Sequence, residues 1–262
     1  MSTATSRVIF VNRVYWPSTA ATAQLLTDLA EGLATRGWDV QVIAAGEAST
    51  KHNGVTIHRT GGSDRHGGLI SRTINYGRFR RGAQRLIAHT VQPGDVVVVM
   101  TDPPLLAAAV TELVGQRGGR VVHWIQDIYP EILTAHLGAL ATLPLSPLRA
   151  LRDVAWHRAS HCVTLGEDMR QAVAARGVPP DRITIAPNWA PQELHTPASP
   201  AAVVARRAAW GVADKFVVAY SGNLGRVHEF AAVLDAADQL KAQPEIKVDY
   251  DRATYRPPTS AR

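Results

Sequence analysis

Short apolar runs of four to six residues recur along the chain and alternate with longer segments whose apolar positions follow a helical period. The runs are RVIFVN (7–12), DVQVIA (39–44), VTIH (55–58), DVVVVM (95–100), RVVHWI (120–125), HCVTL (161–165) and RITIA (182–186). Several are apolar without alternation, as strands buried on both faces are. Strands of this kind separated by helices predict an α/β fold in which helices cover both sides of a parallel sheet.

The first intervening helix is marked by one stripe of Leu26, Leu29, Ala30 and Leu33. Ser18, Thr19 or Thr22 is expected to cap its start, and Gly37 to end it. In LISRTINYGRFRRGAQRLIAH, the apolar positions Leu69, Ile70, Ile74, Tyr76, Phe79, Leu86 and Ile87 fall loosely at helical spacing, which reads as a basic amphipathic helix. One Rossmann-like domain is therefore predicted over 1–190. The stretch 191–212 is rich in proline and alanine and reads as a linker with a short helix. Beyond it come a fresh strand, FVVAYS (216–221), a glycine loop, and a helix carrying Phe230, Val233, Leu234, Ala237 and Leu240. IKVDY (246–250) offers one more strand, and DRATYRPPTSAR has no helix or strand pattern, so 213–262 reads as the beginning of a second domain.

Composition narrows the class. With 46% hydrophobic and 19% charged residues the chain reads as globular, and no run approaches the roughly 20 apolar residues of a membrane-spanning helix. The opening MSTATSR leads into VIFV, too brief for the core of a signal peptide, so a cytoplasmic location is expected. Cys162, the single cysteine, fits a reducing compartment and reads as a small buried apolar residue. The net charge of +6 is concentrated: from Arg59 to Arg85 lie Arg59, Arg65, Arg72, Arg78, Arg80, Arg81 and Arg85 against one acid, Asp64. Such a block faces water by default and an anionic membrane surface as the functional reading. Nucleic acid ranks last, because the block has no interleaved aromatic platform and no helix-turn-helix pattern.

Ligands of open parallel sheets bind at the carboxyl ends of the strands, and three such ends carry polar residues. NRVYWPSTAATAQ lacks GxGxxG, which disfavours a nicotinamide or flavin cofactor, while Ser18, Thr19 and Thr22 either hold an anion at a helix N-terminus or simply cap it. In TDPPLL, Asp102 and two prolines stop the valine strand and start the next helix, a mainly structural role with proline in a first helical turn. WIQDIYPEI gathers Gln126, Asp127, Tyr129 and Glu131 where a substrate approaches. A carboxylate there accepts a hydroxyl proton or binds sugar hydroxyls, or else the group ties down loop backbone. In AYSGNLGRVHEF, Gly222 and Gly225 allow backbone to approach a diphosphate, Asn223 can donate, and Arg226 and His228 flank the helix start. By itself such a loop is more often an ordinary strand-to-helix turn.

Taken in order, FVNRVYWPSTAATAQLLTDLAEGLATRGWDVQVIAAG, TDPPLLAAAV, VHWIQDIYPE, RASHCVTLGEDMRQAVAARGVPPDRITIAPNW and FVVAYSGNLGRVHEFAAVLDAA resemble the retaining glycosyltransferases of family 4, of the kind that build bacterial capsule, colanic acid and O-antigen polysaccharides. The resemblance runs from residue 7 to about 246. It implies a GT-B fold of two Rossmann-like domains, the acceptor on the first and a nucleotide sugar held chiefly by the second, with no metal and no cofactor. By that analogy Asp127 stands near the sugar's reacting carbon as the catalytic-side residue. Gly222, Asn223, Gly225, Arg226 and His228 lie in the loop at the donor diphosphate, Ser18, Thr19, Thr22, Gln126 and Glu131 are acceptor or cleft residues, and Asn188 lies at the hinge side of the cleft.

The implied acceptor is a polyprenyl-diphosphate-linked saccharide, which would give the Arg59 to Arg85 segment a purpose at the inner membrane face. The family's pair of glutamates that hold the donor would lie beyond residue 262, so the resemblance implies a truncated donor domain and a chain that transfers no sugar by itself at a normal rate. Two other readings remain: a nucleotide-sugar epimerase of the same architecture, and a non-catalytic fragment that binds an acceptor or a partner.

Overall fold

The structure is a computed structural model that describes residues 7–62, 69–132, 144–190, 196–221 and 231–251. The chain divides into two compact units, Met1–Pro191 and Gln192–Arg262.

The first unit is built on an eight-stranded sheet. Its strands are β1 (Arg7–Val11), β2 (Asp39–Ala44), β3 (Thr50–His52), β4 (Val55–Arg59), β5 (Val96–Val99), β6 (Arg120–Trp124), β7 (His161–Thr164) and β8 (Ile183–Ile185). They lie in the order β3-β4-β2-β1-β5-β6-β7-β8, and every pairing is parallel except β3 with β4. All seven expected strands form, with ends shifted by a residue at most. Strand β3 was not expected: TKH is short and polar, with two of its residues exposed, and it is held as an antiparallel edge.

The apolar runs are explained by what covers them. Helices α1 (Ala21–Thr35), α2 (Leu69–Thr90), α3 (Leu106–Gln116), α4 (Ser146–Arg158) and α5 (Glu167–Ala174) connect the strands. On one face Val8, Phe10, Val40 and Val42 pack with Leu25, Leu26 and Ala30 of α1. On the other, Ile9, Val11, Val97 and Val99 pack with Phe79, Ala83 and Ile87 of α2, Val110 of α3 and Trp156 of α4. The expected helical stripe in α2 is therefore real at its C-terminal half, whereas Ile74 is 49% exposed.

Gly37 ends α1 as expected: at φ 85 it takes the left-handed region, its N–H donates to Ala34, and Trp38 N–H reaches back to Leu33. The start of α1 departs from expectation. The residue at the cap position is Ala20, whose methyl can accept nothing; Ser18 Oγ lies 3.5 Å from the Ala20 N–H, and Thr22 is already inside the helix. The prolines of TDPPLL also fall short of a first turn, because α3 begins at Leu106, preceded by Leu105 at φ 62.

The second unit holds α6 (Pro200–Ala209), β9 (Phe216–Ser221), α7 (Ala231–Gln239) and β10 (Ile246–Asp251). Ser199 caps α6 by accepting from the Ala202 N–H at 3.2 Å. Strands β9 and β10 pair in parallel, Phe216 opposite Ile246, with α7 between them in sequence, which is one βαβ unit's worth of chain. Gly222, Asn223, Gly225, Arg226, His228 and Phe230 lie outside the described residues, as do residues 252–262.

Candidate functional site at the carboxyl edge of the large sheet

Strand order reverses between β1 and β5: from β1 the chain builds outward to β2 and β4, and from β5 outward to β6, β7 and β8. Loops leaving the two strands diverge there, which opens a crevice at their carboxyl ends. Arg13, two residues past β1, is 4% exposed and sits in this crevice. Its Nε and Nη2 donate to the two carboxylate oxygens of Asp102 at 3.0 and 2.9 Å, and its backbone N–H donates to the Asp102 carbonyl at 2.9 Å. The guanidinium carbon also lies 5.4 Å from the centre of the Tyr76 ring on α2. Asp102 thus has a definite job, anchoring the β1 and β5 loops to each other.

Asp127 follows β6 beside this pair. Its carboxyl keeps an exposed side, and burial of the rest, together with the charge of Asp102, raises its pKa above the ordinary carboxylate value. Tyr129 is pushed up as well, first by burial, then by Asp127, Tyr76 and Asp102, with Arg72 opposing. Burial likewise raises Tyr76, with Asp102 adding to it. Two carboxylates, two phenols and an arginine fork therefore share one strand edge. A group of that kind offers both donors and acceptors to sugar hydroxyls.

The neighbouring loops hold this edge in place. Gln126 and Asn188 exchange two side-chain amide hydrogen bonds, Gln126 Nε2 to Asn188 Oδ1 at 3.2 Å and Asn188 Nδ2 to Gln126 Oε1 at 2.9 Å. Trp189 stacks on Trp124 with ring centres 5.9 Å apart, and its indole N–H donates to Asp28 at 3.3 Å. Glu131 accepts from Arg152 and lies near Arg149 at 3.5 Å and Arg176 at 3.6 Å. Arg152, itself buried, also donates to the Tyr129 carbonyl at 2.9 Å and stacks on Trp156. Glu131 accordingly fastens the YPE loop to α4. On the β1 side, Ser18 N–H closes a turn onto the Tyr15 carbonyl and the Thr19 carbonyl accepts from Gln24, so both residues shape the approach to α1.

Of the residues expected from sequence, the fold brings Gln126 and Asn188 into contact, sets Asp127 beside Asp102, and commits Glu131 to arginine. Arg13, Tyr76 and His123 were not singled out as site residues. Nothing local marks them; only the adjacency of β1, β5 and β6 does. Among the described residues no group of three His, Cys, Asp or Glu side chains gathers to hold a metal, and no helix is long and apolar enough to cross a membrane.

Residues 21–189, well over half of the chain, match the profile of the family described as Glycosyl transferase 4-like domain. The search of curated proteins returned no match. Among solved structures, HepE of Anabaena in complex with UDP and glucose is 15% identical with a TM-score of 0.61, covering 94% of this chain and 60% of its own. The α,α-trehalose 6-phosphate synthase of Burkholderia multivorans is 14% identical with a TM-score of 0.59, covering 94% of this chain and 63% of its own. WaaG, a glycosyltransferase involved in lipopolysaccharide biosynthesis, is 14% identical with a TM-score of 0.56, covering 94% and 70%. At these identities the likeness speaks for the fold, which is the GT-B type, and the chain spans about 60% of the length of the HepE structure. The epimerase alternative finds no support in them. With the parallel sheet and its polar carboxyl edge in place, the match over 21–189 establishes that this chain belongs to the glycosyl transferase 4-like family.

Proposed function

We propose that this chain carries the acceptor side of a glycosyltransferase that moves a sugar from a nucleotide sugar to a lipid-linked saccharide, with retention of configuration, in the synthesis of cell-surface polysaccharide. The observation that carries the reading is Asp127, a carboxyl with one open side at the switch-point edge, flanked by the Arg13–Asp102 fork, Tyr76 and Tyr129. UDP-glucose in another HepE structure supports a nucleotide sugar as donor, and the role of WaaG in lipopolysaccharide biosynthesis supports an envelope saccharide as acceptor.

In this reading the phenols and carboxylates orient the acceptor hydroxyls, and Asp127 stands against the positive charge that grows on the sugar's reacting carbon. No step requires a metal. The donor diphosphate falls to Gly222, Asn223, Gly225, Arg226 and His228, as the resemblance implies. Ser18, Thr19 and Thr22 lie at the start of α1, where free backbone N–H groups favour the acceptor's own diphosphate.

Calorimetric titration of the chain with a short, water-soluble polyprenyl-diphosphate-linked saccharide tests the reading without relying on turnover. Binding that weakens about tenfold or more in Asp127→Asn, the loss of one charge-assisted hydrogen bond, is the expected result. Absent binding, or equal affinity in the variant, would overturn it.

A further inference from the structure

His123 has no part in the site as described, yet it lies directly beneath it. Along β6, Val121 faces the α2–α3–α4 side of the sheet while Trp124 faces α1, and His123 shares the parity of Val121. An apolar residue is the ordinary choice there. Instead an imidazole is 5% exposed, and its Nδ1 is enclosed with no hydrogen-bond partner among the described residues. Burying a polar atom unpaired costs about 1–3 kcal/mol, so the imidazole has to be offset by something its other nitrogen does.

That nitrogen has a place to point. His123 lines a small cavity together with Thr101, Leu106, Asp127, Tyr129 and Trp156. Its volume of about 20 Å³ has room for one water molecule. Burial, reinforced by the positive Arg152, lowers the His123 pKa to about 4, so the ring is neutral under ordinary conditions. A neutral imidazole carries one N–H and one lone pair, and an orphaned lone pair is better tolerated than an orphaned N–H. Nδ1 is therefore the bare nitrogen, and Nε2 carries the hydrogen.

We propose that His123 is a positioning residue: its Nε2–H donates to one water held in this cavity, and that water donates in turn to the inner side of the Asp127 carboxyl, fixing its orientation at the sugar-binding edge. The inference rests on the reading of Asp127 given above. Of the other groups nearby, Arg152 from α4 acts on His123 and Asp102 from the β5 loop acts on Asp127, while Tyr129 borders Asp127 and is itself acted on by Tyr76 and Arg72 of α2. A donor aimed at the carboxyl favours its ionised form, so His123 works against the upward push of burial and Asp102.

Two measurements on the full chain test this, and neither needs sugar transfer or acceptor binding, so their failure is distinct from failure of the proposed function. Long-range proton–nitrogen spectra of histidine-labelled protein are expected to show His123 as the Nε2–H tautomer. An Nδ1–H tautomer would overturn the proposal on the unmutated chain, whatever the variants do. Carboxyl carbon titration, with Asp127 assigned through Asp127→Asn, is expected to show its midpoint raised by about half a pH unit, threefold in the protonation equilibrium, in His123→Phe. His123→Gln, whose amide N–H reaches the same point, is expected to restore it. An Asp127 midpoint unchanged in a folded His123→Phe chain would sink the idea.

Discussion

Arg13 and Asp102, 89 residues apart in the chain, meet in a two-pronged hydrogen-bonded pair across the ends of β1 and β5. The pair joins the two loops that diverge at the reversal of strand order, and it sets a negative charge beside Asp127. Removing the Asp102 side chain takes two charge-assisted hydrogen bonds from Arg13, which is almost wholly buried, whereas Asp102 itself is about a quarter exposed. Asp102→Ala is therefore expected to cost about 3 kcal/mol by urea unfolding, the low end for breaking a buried pair. The double variant Arg13→Met with Asp102→Ala is expected to cost less than the sum of the single ones. Additive costs would mean that the fork contributes no coupling.

The Asp102 substitution also carries a prediction for the site. Because Asp102 adds to the upward push on the Asp127 carboxyl, its removal is expected to lower the Asp127 midpoint toward the ordinary carboxylate value. Carboxyl carbon titration of Asp102→Asn, which keeps the shape and removes the charge, reads this directly. A midpoint that rises would place Asp127 under a different influence.

His123 makes the fold sensitive to acid. The unfolded imidazole takes up a proton near pH 6.5 and the folded one only near pH 4, so between those values the unfolded state binds more protons and stability falls as the pH falls. The contribution lost across that window is on the order of 3 kcal/mol. Urea unfolding at pH 7 and pH 4.5 is expected to show this slope, flattened in His123→Phe. An unchanged slope in the variant would assign the acid sensitivity to other groups.

Five arginines of α2, Arg72, Arg78, Arg80, Arg81 and Arg85, are exposed, whereas Arg59 folds back onto the carbonyls of Ala45 and Trp16 at 2.7 and 2.5 Å. If the exposed set meets an anionic bilayer, each is worth about 1 kcal/mol at the surface. Flotation with phosphatidylglycerol vesicles at low salt is then expected to weaken roughly a hundredfold in Arg78→Ala/Arg80→Ala/Arg81→Ala and to fade with added salt. Equal binding to neutral vesicles would remove the electrostatic account.

The parallel sheet was legible because its strands are packed on both faces, and that requirement writes itself as unbroken apolar runs such as VVVV of β5, where Val97 and Val99 are buried on one face and Val96 and Val98 partly buried on the other. Strand β3 escaped because an exposed polar edge of three residues obeys no such requirement. Capping of α1 was misread for a related reason: Ser18 and Thr19 have the right chemistry, but the turn closed by Ser18 N–H on Tyr15 delays the helix until Ala21. Asp127 and its polar neighbours could be found from their place at a strand end. The Arg13–Asp102 fork and the cavity at His123 could not, since both exist only once β1, β5 and β6 are laid side by side.

The central claim is that the carboxyl edge around Asp127 receives the acceptor. Amide chemical-shift mapping of the nitrogen-labelled chain during titration with a soluble polyprenyl-diphosphate-linked saccharide tests it most directly. The account predicts perturbations concentrated at residues 12–22, 101–105, 126–131 and 188, on the loops that leave β1, β5, β6 and β8. Perturbations confined to other surfaces, or saturation without any change at Asp127 and Tyr129, would contradict it.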